Sequence, residues 1–301
     1  MNHRSTFVAV GCALLLSTAT MSCAKPAPKR AEVASKPALW KLADADTTIY
    51  LFGTIHVLPK NFKWRTRTFD TAVAKADTLV LEVNDLGDQT KTAEIFTRLA
   101  MSPGLPPVLD RVPPEKRAGL KALIDRAGFA PAALGQFESW AVAITLAGSL
   151  LKELGLSPDD GVERALTEQF TTAKKPVIGL ETTALQLGIF DKLPEDAQRS
   201  FLTSLADEAG DPKTEFDSML GAWRKGDDKA IALSFDDELR SSPILNEALL
   251  IKRNMNWTAW LAKRLDTPGT VMVAVGAGHL AGSESVLAML AKQGIKVTRV
   301  Q

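Results

Sequence analysis

The sequence predicts an α/β fold, with a central sheet built from the N- and C-terminal halves of the chain and a large helical insertion or cap between them. Three observations lead there. Runs rich in β-branched and other apolar residues, Thr47–Phe52, Thr78–Val83 and Thr270–Val275, lie towards the two ends of the chain. The middle, from Thr90 to about Leu265, is mostly helical in its spacing. Hydrophobic residues make up 46% of the chain and charged residues 24%, an ordinary globular balance that can supply one sizeable core.

Residues 1–23 read as an export signal. Arg4 precedes an apolar stretch from Phe7 to Leu16, and the small and hydroxyl residues Ser17 to Thr20 follow it. The stretch is too short to span a bilayer, which takes roughly 20 residues, and charges interrupt every later apolar run. Ser22-Cys23 resembles a bacterial lipobox with Cys23 as the lipidated residue, although Thr20 stands where leucine is usual; the alternative is ordinary signal cleavage between Ala19 and Ala24. Either way the protein is expected to be exported, as a periplasmic or lipid-anchored envelope protein, and the membrane to be a partner only through that anchor. Cys12 leaves with the signal, so no intramolecular disulfide and no cysteine nucleophile are expected in the folded body. Residues 24–38, rich in Pro, Ala and Lys, read as a flexible tether.

Structure is expected from 39 to 301. Thr47–Phe52 reads as a strand ending at Gly53, and Phe69–Ala76 has helical spacing. Thr78–Val83 is a continuous apolar run suited to an interior strand. Strand, helix and strand in this order suggest a βαβ unit. Pro113-Pro114-Glu115 looks like a helix start and Gly155 a helix stop. Asp159-Asp160-Gly161-Val162-Glu163 places acidic residues at a helix N-terminus, mainly a structural signal. Pro176–Glu181 is a further short strand, and a second helical block covers about Glu195 to Leu265. Thr270–Val275 is the third strong strand, ending at Gly276. A helix from about Glu284 to Lys292 and a last strand, Val297–Val300, complete the chain.

Formal net charge is +1 with both signs interspersed, and there is one tyrosine. Neither a basic patch nor an aromatic platform points to nucleic acid, which is not expected as a partner. A Gly-x-Ser-x-Gly elbow, a P-loop, a dinucleotide-binding Gly-x-Gly-x-x-Gly and a His-Glu-x-x-His helix are all missing.

What remains is a pair of motifs. Gly53-Thr54-Ile55-His56 and Gly276-Ala277-Gly278-His279 each follow a strand directly, and beyond the signal His56 and His279 are the chain's whole histidine supply. Carboxyl ends of strands are where ligand sites gather in open α/β sheets. One histidine there is more often structural; two in matching contexts point to a shared site. Glu82 interrupts Leu-Val-Leu-Glu-Val, where a buried carboxylate is costly unless it is paired or on a metal; it also fits a solvent-exposed strand end. Glu181 has the same position after its own strand. Two histidines with one or two carboxylates suit Zn²⁺, Mn²⁺ or Co²⁺ with a position left for water. On an apparent helix, Arg253 would clamp a carboxylate or stabilise an oxyanion and Asn254 would add a hydrogen bond, or else both lie on the helix surface.

Taken in order, Leu-Phe-Gly-Thr-Ile-His, Leu-Val-Leu-Glu, Gly-Leu-Glu-Thr, Arg-Asn and Val-Gly-Ala-Gly-His-Leu-x-Gly resemble the TraB/GumN family, from about Leu39 to the C-terminus. That family is related to the Tiki membrane-tethered metalloproteases and, more distantly, to erythromycin-esterase-like and ChaN-like proteins. The resemblance implies a metal-dependent hydrolase fold, with His56, His279 and Glu82 as metal ligands and Glu82, Glu181 and Arg253 as catalytic residues. Glu163 departs from the pattern, which has aspartate there, and stays outside the expected site. The expectation is a metal-dependent, peptidase-like hydrolase acting on a peptide or other amide. The alternative is a non-catalytic envelope protein that binds a ligand such as haem in the same pocket.

Overall fold

The computed structural model describes residues 35–84, 89–207, 212–240 and 242–301. The expected signal, Cys23 and most of the tether lie outside these residues. The tether's last residues are held: Lys36 N–H donates to the Arg224 carbonyl, and the Pro37 carbonyl accepts from Gln301 Nε2.

Six strands form one mixed sheet: β1 (Leu39–Ala43), β2 (Thr47–Thr54), β3 (Thr78–Val83), β4 (Val177–Glu181), β5 (Gly269–Gly276) and β6 (Thr298–Arg299). Their order is β4-β3-β5-β2-β1-β6. β4, β3, β5 and β2 run parallel, and β1 pairs antiparallel with β2 and β6. The α/β class and the sheet assembled from both ends are therefore present. The strand–helix–strand unit takes a wider form than the sequence suggests: β2 and β3 are not neighbours, because β5, from the far end of the chain, lies between them. The expected last strand shortens to Thr298–Arg299.

Apolar residues cover both faces of the parallel core, as continuous apolar strands require. On one face Phe52, Leu79, Leu81 and Met272 pack with Phe69 of α1 (Arg67–Lys75), Phe170 and Trp223; on the other, Ile49, Leu51, Val80, Val271 and Val273 pack with Trp257 and Leu261. Burying one such side chain stabilises by about 1.5–3 kcal/mol, so these strands hold the centre of the fold. α1 starts at the Thr66 cap, whose hydroxyl accepts from Phe69 N–H.

The helical middle comprises α2 (Gln89–Ala100), α3 (Arg117–Arg126), α4 (Ser139–Glu153), α5 (Val162–Thr172), α6 (Thr183–Asp191), α7 (Glu195–Asp207), α8 (Pro212–Lys225) and α9 (Asp228–Arg240). α10 (Pro243–Asn246) continues through a π-helical turn, Glu247–Ile251, into α11 (Lys252–Arg264), and α12 (Val286–Lys292) follows β5. A separate core of α3, α4 and α7 forms around Leu120, Ile124, Val142, Leu146 and Leu202. Trp140 of α4, Phe190 of α6 and Phe201 of α7 stack in sequence, with ring centroids 5.9 and 5.8 Å apart. No helix among the described residues is long and apolar enough to cross a membrane.

Candidate active site

The two glycine–histidine motifs end adjacent parallel strands. β2 and β5 pair in register up to Thr54 opposite Gly276, so His56 and His279 emerge side by side at the carboxyl edge of the sheet. Glu82 on β3 and Glu181 on β4 reach the same edge, and Arg253 comes down to it from α11. All five residues expected to form the site are thus in one neighbourhood. A cleft of about 380 Å³ opens there, lined by His56, Glu82, Arg253, Gly276 and His279 on one side. Ile189 and Phe190 of α6, Phe201 of α7, Leu245 of α10 and Leu249 and Leu250 of the π turn line the other.

Gly276 is central to this geometry. A methyl group on its Cα would lie 3.1 Å from Glu82 Oε1, 3.4 Å from His56 Nε2 and 3.6 Å from His279 Cδ2. Absence of a side chain here leaves open the gap onto which all three residues converge.

Each histidine is fixed through Nδ1. His56 Nδ1 lies 2.7 Å from Glu163 Oε1, and Thr54 Oγ1 donates to the same oxygen. Although 63% of the His56 side chain is open to solvent, it lies within a concavity. Desolvation there lowers its pKa, but the hydrogen bond and charge of Glu163 and the charge of Glu82 outweigh this and raise it to about 9. His279 is buried and behaves in the opposite way. Asn254 Nδ2 donates to the Glu284 carbonyl, which turns Asn254 Oδ1 towards His279 Nδ1 at 2.7 Å. His279 Nε2 meets Arg253 Nη1 at 3.0 Å. Arginine only donates, so Nε2 is the lone-pair side and the proton sits on Nδ1. Burial, with Arg253 and His56 nearby, lowers the His279 pKa to about 4 despite Glu82. The Trp257 ring covers it, centroids 4.4 Å apart.

Glu82 Oε1 accepts from Gly276 N–H at 2.6 Å, and Oε2 accepts from Arg253 Nη2 at 2.6 Å and Gln186 Nε2 at 3.2 Å. Burial raises its pKa, but His279, Arg253, His56 and the Gly276 N–H together bring it down to about 2. Arg253 donates from Nε and Nη2 to Glu181, from Nη2 to Glu82, and from Nη1 to the Leu249 carbonyl and His279. Its five N–H groups have acceptors. Glu181 also accepts from Trp257 Nε1 at 3.1 Å. It lines a neighbouring depression, with Leu185 and Ile244, instead of the cleft.

Arg253 and Asn254 are therefore buried residues and not surface ones. They share the inward face of α11 with Trp257, Thr258 and Leu261, a helical repeat that reaches the site because α11 packs across the sheet. Sequence reasoning left out Glu163, which the structure brings onto His56. The signal was present in Gly161-Val162-Glu163: a methyl group at Gly161 would lie 2.1 Å from the His56 carbonyl, and Val162 N–H donates to the Ile55 carbonyl. Only glycine lets the start of α5 approach the motif this closely. Gln186 carried no such signal.

As a donor set for a divalent transition metal, these residues fit by type and by the side on which each imidazole is held. Histidines held at Nδ1 by a carboxylate or amide oxygen are the usual form of metal-ligating imidazole, and Gly276 supplies the gap. The arrangement is closed by a guanidinium, however. Arg253 engages both Glu82 and His279, and among the described residues no three His, Cys, Asp or Glu side chains are already gathered around one point suited to a metal.

Comparison with known proteins agrees with the order of motifs. The sequence pattern of the TraB/PrgY/gumN family matches residues 38–299. The protein YbaP of Escherichia coli (strain K12), described as uncharacterised, is 23% identical over 241 residues, covering 80% of this chain and 87% of its own length; YbaP of Shigella flexneri matches to the same extent. No solved structure matches.

Proposed function

The chain belongs to the TraB/PrgY/gumN family, and from that premise we propose that it is an exported, metal-dependent hydrolase that cleaves an amide bond in a peptide in the bacterial envelope. The observation that carries this reading is the convergence of His56, Glu82 and His279 on the gap over Gly276, at the floor of a cleft. In this reading His56, His279 and Glu82 would hold the metal, of the Zn²⁺, Mn²⁺ or Co²⁺ class. When bound, such an ion lowers the pKa of water and polarises a carbonyl.

The chain's own residues prepare and complete the site. Glu163 and Asn254 engage each Nδ1 and leave Nε2 as the ligating side: the His279 Nε2 lone pair is free, and His56 Nε2 would give up its proton to a metal. Gly276 N–H and Gln186 orient Glu82. Glu181 is assigned to holding Arg253 and not to proton transfer, since Arg253 and Trp257 enclose it. Proton transfer is assigned to Glu163, the most exposed of the three carboxylates at 24% of its side chain, acting beside His56 Nδ1. The wall of Ile189, Phe190, Phe201, Leu245, Leu249 and Leu250 suits an apolar group beside the scissile amide. A volume of about 380 Å³ admits a short segment of chain and excludes a folded domain.

Incubation of the purified protein with a mixture of short peptides, read by mass spectrometry, tests this. Cleavage is expected in the wild type and is expected to disappear in His56→Ala, His279→Ala and Glu163→Gln. Binding of peptides with no cleavage by a metal-replete wild type would replace the hydrolase with a binding protein.

A further inference from the structure

Arg253 holds an unusual place in this site. It is buried, carries a permanent charge and uses its N–H groups on four partners: Glu181, Glu82, His279 and the Leu249 carbonyl. Two of those partners, Glu82 and His279, are residues to which the proposed function gives the metal. A guanidinium and a metal ion compete for the same lone pairs, so one excludes the other at His279 Nε2 and Glu82 Oε2.

The ligands do not depend on Arg253 for their positions. Glu82 is also held by Gly276 N–H at 2.6 Å and by Gln186. His279 is also held by Asn254 and covered by Trp257. Arg253 in turn has a tether that needs neither, since Nε and Nη2 both reach the Glu181 carboxylate. Its Cζ lies 4.7 Å from the Trp257 ring centroid, a second support for the charge.

We propose that Arg253 is the site's own displaceable cation: it neutralises Glu82 and closes on His279 in the metal-free protein, and it yields both to an incoming divalent metal ion while staying tethered to Glu181. This rests on the metal-hydrolase reading and adds a consequence to it. Yielding those two partners frees N–H groups of Nη1 and Nη2 at the edge of the cleft. The donors needed for negative charge on a substrate thus become available only in the loaded site. Metal affinity is set by this competition, and removing the guanidinium tightens it.

The test compares wild type, Arg253→Met and Arg253→Lys, each checked for folding by circular dichroism. Affinity for Zn²⁺ and for Mn²⁺ is measured at pH 8 by competition with a chromophoric chelator, alongside the metal-induced shift in melting temperature. Arg253→Met is expected to bind at least about tenfold more tightly than wild type, within the usual range of coupling between sites, and to show the larger melting shift. Arg253→Lys keeps a charge with a shorter reach and fewer donors, so its affinity is expected between the two. Binding by Arg253→Met with none by wild type overturns the proposal, since the guanidinium then does not yield to the metal. Unchanged or weaker affinity in the folded variants, with wild type binding one ion, overturns it and leaves the metal reading standing; this is the result a merely structural arginine would give. Failure of every protein to bind overturns both. If Arg253→Met does not fold, Arg253→Lys decides: tighter binding than wild type supports the proposal, equal or weaker binding overturns it.

Discussion

Single residues decide whether the cleft can work, and Gly276 is the sharpest case. The Gly276→Ala methyl would press on Glu82 at 3.1 Å and occupy the space before His56 Nε2. Its backbone conformation, φ −49° and ψ 135°, is open to alanine, so the fold is expected to survive. Amide cleavage is expected to fall by about 10²-fold or more, the usual cost of displacing reacting groups by an ångström, while the urea midpoint changes little. The two histidines give opposite pH responses in metal-free protein. His56 is raised from 6.5 to about 9; its contribution to stability is full below pH 6.5 and lost as pH rises through 9. His279 is lowered from 6.5 to about 4, so the unfolded chain takes its proton first and stability is lost as pH falls from 6.5 to 4. Glu82, lowered from 4.5 to about 2, adds a loss below pH 4.5. Urea titrations in the presence of chelator are expected to show greatest stability near neutral pH, and His56→Gln is expected to flatten the alkaline side more than the acid side.

At the scale of elements, the site depends on how closely α5 and α11 approach the strand ends. Gly161→Ala would put a methyl 2.1 Å from the His56 carbonyl and push the start of α5 away. A cost of about 1–3 kcal/mol, as for other overpacked positions, is expected in urea unfolding. Loss of activity is also expected, because Glu163 moves with the helix; wild-type stability and activity in this variant would contradict the assigned contact. Periodicity and strand composition made β2, β3, β4 and β5 legible in advance, together with α1, α12 and the residues that end each strand. Sequence spacing did not reveal which helix face turns inwards over the site. Asn254 and Glu163 therefore read as surface or capping residues until tertiary packing placed them on His279 and His56. Glu181 was legible as a strand-end carboxylate, but its enclosure by Arg253 and Trp257 depends on side chains from 72 and 76 residues away.

Across the whole molecule, the sheet closes around β5, a strand that follows the whole helical middle in the chain. β5 pairs with β2 on one side and β3 on the other, so strands from both sides of the helical middle must pair before the site is complete. Amides of β5 are accordingly expected to exchange hydrogen only through global unfolding, more slowly than those of α3 in the helical middle. Faster exchange in β5 than in α3 would contradict this order of stability. The matching glycine–histidine motifs made the joining of the two ends visible in the sequence; that β5 sits between β2 and β3 did not follow from it, because a local strand pattern carries no information on neighbours. The central claim is that His56 and His279, from opposite ends of the chain, serve one metal ion with Glu82. Elemental analysis of protein purified without chelator tests it most directly. About one transition-metal ion per chain is expected in wild type, with loss of that ion in both His56→Ala and His279→Ala; no stoichiometric metal, or a content unchanged in the two variants, would contradict it.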